Sequence, residues 1–173
     1  MYKRQTYDEL RLATAYLYMK PWFGFHSTRL FAMGDARGNN IYGDNNNETG
    51  YAPYCLFTDK PNTPGLADAW NSLYIVVTQA DYIINDYAPQ GRQHFSEAQA
   101  NACEGEARFM RAAAYYYLAS CWHDVPIMEN PIAHTEAFNM APTRFEDVIR
   151  YGIRDLEYAA EWLPLSLIHI SEP

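Results

Sequence analysis

Apolar residues recur at helical spacing in four stretches of this chain, and polar, glycine-containing sequence separates the stretches. Between Leu66 and Tyr87, Trp70, Leu73, Tyr74, Val77, Ala80 and Ile84 share one face at 3.6-residue periodicity. From Glu97 to Cys121 the stripe is Cys103, Ala107, Met110, Ala114, Leu118 and Cys121. Tyr115 and Tyr116 lie off that stripe, which predicts a helix contacted on more than one side. From Arg144 to Trp162 the stripe is Phe145, Val148, Ile149, Leu156, Ala159 and Leu163, with Gly152 on the same face to admit a close neighbour. A shorter helix is predicted from Tyr7 to Met19, stopped by Pro21. The pattern therefore predicts an all-α chain.

Capping chemistry supports three of the starts. Thr6 with Glu9, Ser96 with Gln99, and Thr143 with Glu146 each have the spacing of a capping box. In that motif a hydroxyl accepts from an exposed backbone N–H, and the residue three positions on reaches back. Pro89 and Gly91 are expected to end the second helix. Asp81 falls on that helix's inward stripe, between Val77 and Ile84. A lone buried carboxylate is costly, so it is expected to be buried against an Arg or another hydrogen-bond donor.

Between the first two helices lies a polar stretch from Gly24 to Gly65, containing GDARGNN and GDNNNETG. A loop of this length is usually functional or disordered. A second irregular stretch, Asp124 to Pro142, joins the last two helices.

Composition sharpens this picture. Nearly half of the 173 residues are apolar and a fifth are charged, which argues for a packed core. The formal net charge of −8 argues against nucleic-acid binding, which requires basic patches to displace counterions. Fifteen Tyr and four Trp supply rings that are both apolar and hydrogen-bonding. Cys55, Cys103 and Cys121 form no CxxC pair, so no metal and no cofactor is expected; Cys103 and Cys121 are expected as buried free thiols. No run of about 18 apolar residues occurs, and no signal peptide opens the chain. The first five residues, MYKRQ, and the tail LSLIHISEP from Leu165 read as non-native scars, leaving residues 6–164 as a partial natural domain.

Catalytic chemistry finds little purchase. Glu104, Glu106, Asp124 and Glu129 are available carboxylates, but no spacing sets two of them across a glycosidic bond. Glu104 and Arg108 read as an ordinary surface pair four residues apart. The five histidines have no metal-ligand spacing. Asp44, Asn46 and Glu48 alternate as calcium ligands do, but Thr49 occupies the sixth position, where an EF-hand needs Gly. No catalytic residues are assigned. The binding candidates are Arg37, Asn40, Tyr42 and Tyr54 in the long polar stretch. Sugars offer an apolar face and a hydroxyl rim, which aromatic rings with Asn and Arg donors complement.

The segment GEARFMRAAAYYYLASCWHDVP, Gly105 to Pro126, closely resembles the signature helix of the SusD/RagB family. AWNSLYIVVTQADYII, Ala69 to Ile84, is similar to the family's preceding helix, and RFEDVIRYGIRDLEYAAEWLP, Arg144 to Pro164, to the following one. The resemblance covers about Leu66 to Pro164 well and the first helix loosely. Two positions depart from it: His123 stands where Gly is usual, and Asp81 where Asn is usual.

This resemblance implies a truncated array of tetratricopeptide-like helix pairs with long irregular loops. It implies a non-enzymatic outer-membrane lipoprotein that binds oligosaccharide and partners a TonB-dependent SusC-like transporter. The membrane link would be a lipid anchor outside this chain. Peptide capture by the same architecture, or a soluble helical-repeat scaffold for protein partners, are the alternatives. The resemblance also implies missing neighbours, so the second and fourth helices are expected to present apolar surface without a partner in this chain.

Overall fold

The computed structural model describes residues 6–19, 24–41, 52–63, 65–130 and 140–164. Tyr42, the Asp44–Glu48 alternation and both suspected scars lie outside them. The described residues form helices α1 (Tyr7–Leu17), α2 (Ala52–Cys55), α3 (Leu66–Tyr82), α4 (Ala88–Gly91), α5 (Glu97–Trp122) and α6 (Phe145–Trp162). Among the described residues no strand forms; the one β feature is a bridge pairing Val125 with Thr143. No helix among them is long and apolar enough to cross a membrane. The chain divides into two compact units, residues 1–17 with 77–173 and residues 18–76, and the division falls within α3.

In the first unit, α6 packs along α5, and α1 and α4 also contact α5. Two of the three capping boxes form. Thr6 Oγ1 accepts from Glu9 N–H at 3.3 Å, and Glu9 Oε2 accepts from Thr6 N–H at 3.2 Å. Ser96 and Gln99 reciprocate in the same way at the start of α5. The third box does not form. Thr143 is drawn into the bridge with Val125, and Arg144 takes the cap position without a side-chain hydrogen bond. Asp124, twenty-one residues back from Phe145, accepts that residue's N–H at 2.9 Å instead. That hydrogen bond, and a second with His123, hold the Asp124 carboxyl below its ordinary pKa.

The second sequence helix does not end before Pro89. A π-helical turn at Ile83–Tyr87 follows α3, and α4 continues through Pro89 to Gly91. The N–H of Ala88 bonds back to the Ile83 carbonyl, five residues earlier. This wider turn carries the helix past a proline that has no N–H to give and whose ring clashes within a regular α-turn.

The core stripe of α5 is as expected at Cys103, Ala107, Met110, Ala114 and Leu118, all buried; Cys121 is only half-buried. Of the two off-stripe tyrosines, Tyr115 is buried and Tyr116 is exposed. Tyr115 Oη accepts from Met128 N–H at 2.8 Å, tying the exit segment back onto the helix. On α6 the buried line is Val148, Gly152, Asp155 and Ala159, while Leu156 is 43 % exposed. Val148, Gly152 and Ala159 of the expected stripe are buried, but Asp155 rather than Leu156 faces inward between them. Gly152 lies against Ala112, where an added Cβ would find ordinary contacts of 3.9 Å. Ile75 on α3 and Ile153 with Leu156 on α6 keep large apolar side chains at the surface.

Asp155 turns inward because of an ion network. Arg111 donates from Nε to Asp155 Oδ2 at 2.7 Å and from Nη2 to Asp155 Oδ1 at 2.8 Å. Its Nη1 donates to Asp81 Oδ1, and its guanidinium lies 4.9 Å from the centre of the Tyr151 ring. Arg108 joins Asp155 to Glu104, and Arg92 joins Glu104 to Asn101. Glu104 and Arg108 are therefore not a surface pair: Glu104 is buried. Asp81 is fully buried and Arg-paired, as its position on the stripe required. Burial opposes charge on Arg111, but the hydrogen bonds and charges of Asp155 and Asp81 outweigh it and raise its pKa. Such a cluster is held by mutual compensation, and removing one member leaves a buried charge unpaired.

In the second unit the Gly24–Gly65 stretch is not irregular throughout. Gly24 to Ala36 is helical, with π-helical turns at Phe25–Arg29 and Ala32–Ala36. Phe25, Ala32, Ala36, Ala52 and Tyr54 are buried there. Phe25, Leu30, Phe31, Ala32, Met33 and Ala36 do not recur as one stripe at α-helical spacing, because π-turns shift the period that pattern reading relies on.

Candidate functional site

Two of the four sequence candidates come together in the second unit. The turn after Ala36 is tightly closed: Gly38 N–H bonds to the Gly34 carbonyl at 2.7 Å, and Asn40 N–H to the Asp35 carbonyl at 2.9 Å. Asn39 takes φ +60° to complete it, a conformation Asn tolerates better than most residues. Arg37 leaves this turn and pairs with Asp59. Its guanidinium lies 6.0 Å from the centre of the Tyr54 ring and 5.8 Å from that of Phe57.

The second wall comes from the end of α2. Leu56 N–H bonds to the Ala52 carbonyl and Thr58 N–H to the Pro53 carbonyl, and between them Phe57 takes φ +54°. A bulky residue at positive φ is strained, a cost of order 1–3 kcal/mol. Phe57 is also 69 % exposed, so the strain holds an aromatic ring in solvent. Tyr54 is buried, and its hydroxyl has no hydrogen-bond partner among the described residues. Burial raises the Tyr54 pKa; Arg29 and Arg37 oppose that shift, and Asp59 adds to it. Gly65 takes φ +88°, and the Arg29 guanidinium fills the space where its Cβ would stand.

The four candidates thus separate. Arg37 is partly exposed and held by Asp59, Phe57 and Tyr54. Tyr54 lies beneath the surface, and its ring face is closed to solvent. Asn40 is exposed at the end of the Gly34–Ile41 turn. Tyr42 lies outside the described residues. Sequence reading missed Phe57 and Asp59. The signal available was an apolar pair, Leu56–Phe57, set directly before the turn-forming run Asp59–Lys60–Pro61–Asn62. An exposed ring, a fixed guanidinium and a carboxylate make a surface that offers a hydrophobic face beside hydrogen-bond donors and acceptors.

Elsewhere the chemistry is already committed. A hollow of about 500 Å³ beside the start of α6 is lined by His123, Asp124, Arg144, Glu146, Asp147 and Arg150. Asp124 caps the helix and Asp147 pairs with Arg150, so its charges largely satisfy one another. Glu104 is held by two arginines and Glu106 by Arg11. Among the described residues, no group of three His, Cys, Asp or Glu is placed to hold a metal ion.

Comparison with known proteins fits this geometry into a family. A SusD-like family model, described as starch-binding associating with outer membrane, matches residues 22–172. A SusD-like protein of Bacteroides ovatus is 34% identical over 157 residues, which cover 90% of this chain and 28% of that protein. A crystal structure with xylogluco-oligosaccharide is 32% identical, with a TM-score of 0.78 over 90% of this chain and 30% of the other. A SusD superfamily structure from Bacteroides vulgatus, 19% identical, superposes with a TM-score of 0.80 over 95% of this chain and 36% of the other. The chain therefore spans about a third or less of the length of these relatives. Their tetratricopeptide-like helical architecture is the architecture seen here.

Proposed function

Because this chain belongs to the SusD-like family of carbohydrate-binding, outer-membrane-associated proteins, we propose that it is part of a cell-surface subunit that captures oligosaccharide. On this reading it passes the sugar intact to a TonB-dependent SusC-like transporter and is held at the outer membrane by a lipid anchor. The observation that carries the reading is its 32% identity to a protein whose structure was solved with xylogluco-oligosaccharide. The contact surface we assign is Phe57, Arg37 and Asp59, with Tyr54 as the support beneath and Asn40 on the neighbouring turn. Phe57 supplies the ring on which a sugar's apolar face stacks. Arg37 and Asp59 supply the donor and acceptor for its hydroxyls.

The subunit holds the sugar and does not cut it. The carboxylates Glu104 and Glu106 are engaged by arginines, and Asp124 by a helix N-terminus. A general acid needs a carboxyl free to deliver its proton to the glycosidic oxygen.

Titration calorimetry of the full chain against xyloglucan oligosaccharides, with maltooligosaccharides and peptides in the same panel, tests this. Binding to a glycan, weakened at least about tenfold by Phe57→Ala, is the expected result; tenfold corresponds to about 1.4 kcal/mol. Binding of peptides alone, or glycan binding indifferent to Phe57→Ala, would remove the reading or the assigned surface respectively. Release of reducing ends from the same glycans would contradict a purely binding role.

A further inference from the structure

The ion network of the first unit contains a carboxylate whose surroundings do not complete it. Asp81 is 0 % exposed, and its Oδ1 receives a single hydrogen bond, from Arg111 Nη1. Its Oδ2 has no hydrogen-bond partner among the described residues. The same guanidinium gives two hydrogen bonds to Asp155, which receives a third from Arg108. One positive charge is thus shared between two buried carboxylates, and the geometry favours Asp155.

The groups facing Asp81 come from three elements. Arg111 comes from α5; Asp155 and Tyr151 come from α6; Glu129 comes from the segment beyond the Val125 bridge. Of these only Arg111 stabilises the charged form of Asp81; Asp155 and Glu129 repel it. An anion with one bare oxygen in a dry core loses hydration that a neutral carboxyl does not need to the same degree.

We propose that Asp81 is a proton-binding site built into the helical core, which takes up a proton in mildly acidic medium and thereby strengthens the clamp between α3, α5 and α6. The proton goes to the carboxyl of Asp81, relieving its repulsion with Asp155 and leaving Arg111 fully committed to Asp155. Burial is the main cause that lifts this carboxyl from 3.8 to about 6, with Arg111 opposing and Asp155 and Glu129 adding to the lift. The direction of the linkage follows. Between about 4 and about 6 the folded chain binds more protons here than the unfolded chain does. The contribution of Asp81 to stability is therefore complete below about 4 and is lost as pH rises through about 6. This device is independent of the sugar-binding reading, which concerns the other unit.

Carbon-13 NMR of aspartate side-chain carboxyls in the full chain, assigned through their Cβ protons, reads the site directly. The expected result is one carboxyl, assigned to Asp81, with a titration midpoint near 6, absent from Asp81→Asn. Thermal unfolding gives a second readout: the melting temperature of the unmodified chain should rise relative to Asp81→Asn as pH falls from 7 to 4.5. Asp155→Asn, by freeing Arg111, should move the midpoint of Asp81 downward. An Asp81 carboxyl that titrates near 4 overturns the proposal, as does a melting-temperature difference that is constant with pH. If Asp81→Asn fails to fold, the spectrum of the unmodified chain alone still decides between the two midpoints.

Discussion

The two units use arginine in opposite ways. In the first, Arg111 is buried, shared by two carboxylates and stacked on Tyr151, and its charge is consumed inside the protein. In the second, Arg37 lies partly in solvent, held by one carboxylate beside two aromatic rings. With the ligand surface proposed for the second unit, the difference separates fold from function within one chain. The family signature, Gly105 to Pro126, is a set of structural parts: Arg108 and Arg111 for the ion network, Tyr115 for the exit segment, and Asp124 for the next helix. The strongest recognition motif in the sequence thus explains how the chain folds. The surface assigned to ligand lies where the sequence pattern is weakest.

The sharpest test of that contrast removes Arg111. Arg111→Met keeps an apolar stem but leaves Asp81 and Asp155 without their shared partner. Loss of one member of a buried pair typically costs about 3–5 kcal/mol. That is a large part of a domain's usual stability of about 5–15 kcal/mol, so denaturant melts should show a much earlier midpoint or no folded baseline. A variant within about 1 kcal/mol of the parent would mean the network is wetter and weaker than its burial implies.

The same contrast explains what the sequence revealed. Helix existence was legible because period and caps agree at Thr6–Glu9 and Ser96–Gln99. The third cap was misread because the Val125–Thr143 bridge gives the Thr143 N–H to the Val125 carbonyl and brings Asp124 to the N–H of Phe145; no local pattern contains those contacts. Leu156 was misplaced because hydrophobic periodicity keeps an aspartate out of the core, whereas Asp155 has two guanidiniums waiting there. Asp81 was placed correctly because its flanking residues fix its phase whatever its charge. In the second unit, Arg37 and Tyr54 were chosen by residue type, and type does not report burial. Phe57 was missed because the apolar pair Leu56–Phe57 before the Asp59–Asn62 turn does not by itself tell a packed ring from one held in solvent at positive φ.

A smaller effect of opposite sign is expected within the first unit. Gly152 sits inside α6 and is buried against Ala112, with 3.9 Å of room around an added Cβ. Gly152→Ala should therefore stabilise the chain by about 0.5–1 kcal/mol, since Gly in a helix interior costs that much relative to Ala. The melting temperature should rise by a few degrees. A fall would mean that α5 and α6 approach too closely at this point for a methyl group, and that the glycine is there for packing.

The smallest expected effect on stability is at Arg37, and it is the most useful for separating the two units. Arg37 and Asp59 are 41% and 22% exposed at their side chains, in the regime where an ion pair contributes about 1 kcal/mol or less. The Arg37 guanidinium lies 5.8 Å from the Phe57 ring centre and 6.0 Å from that of Tyr54, at the outer limit of a cation–π contact, so the rings add little. Arg37→Ala should thus leave the melting temperature within a few degrees of the parent. Glycan affinity measured on the same sample should fall, because the guanidinium is a principal donor of the assigned surface. Arg37→Lys separates charge from shape. Lysine keeps the charge but loses the planar fork, so it should restore stability more than affinity. Equal and parallel losses in stability and affinity for both variants would show that Arg37 acts as Arg111 does, as a structural tie, and would move the ligand surface away from this turn.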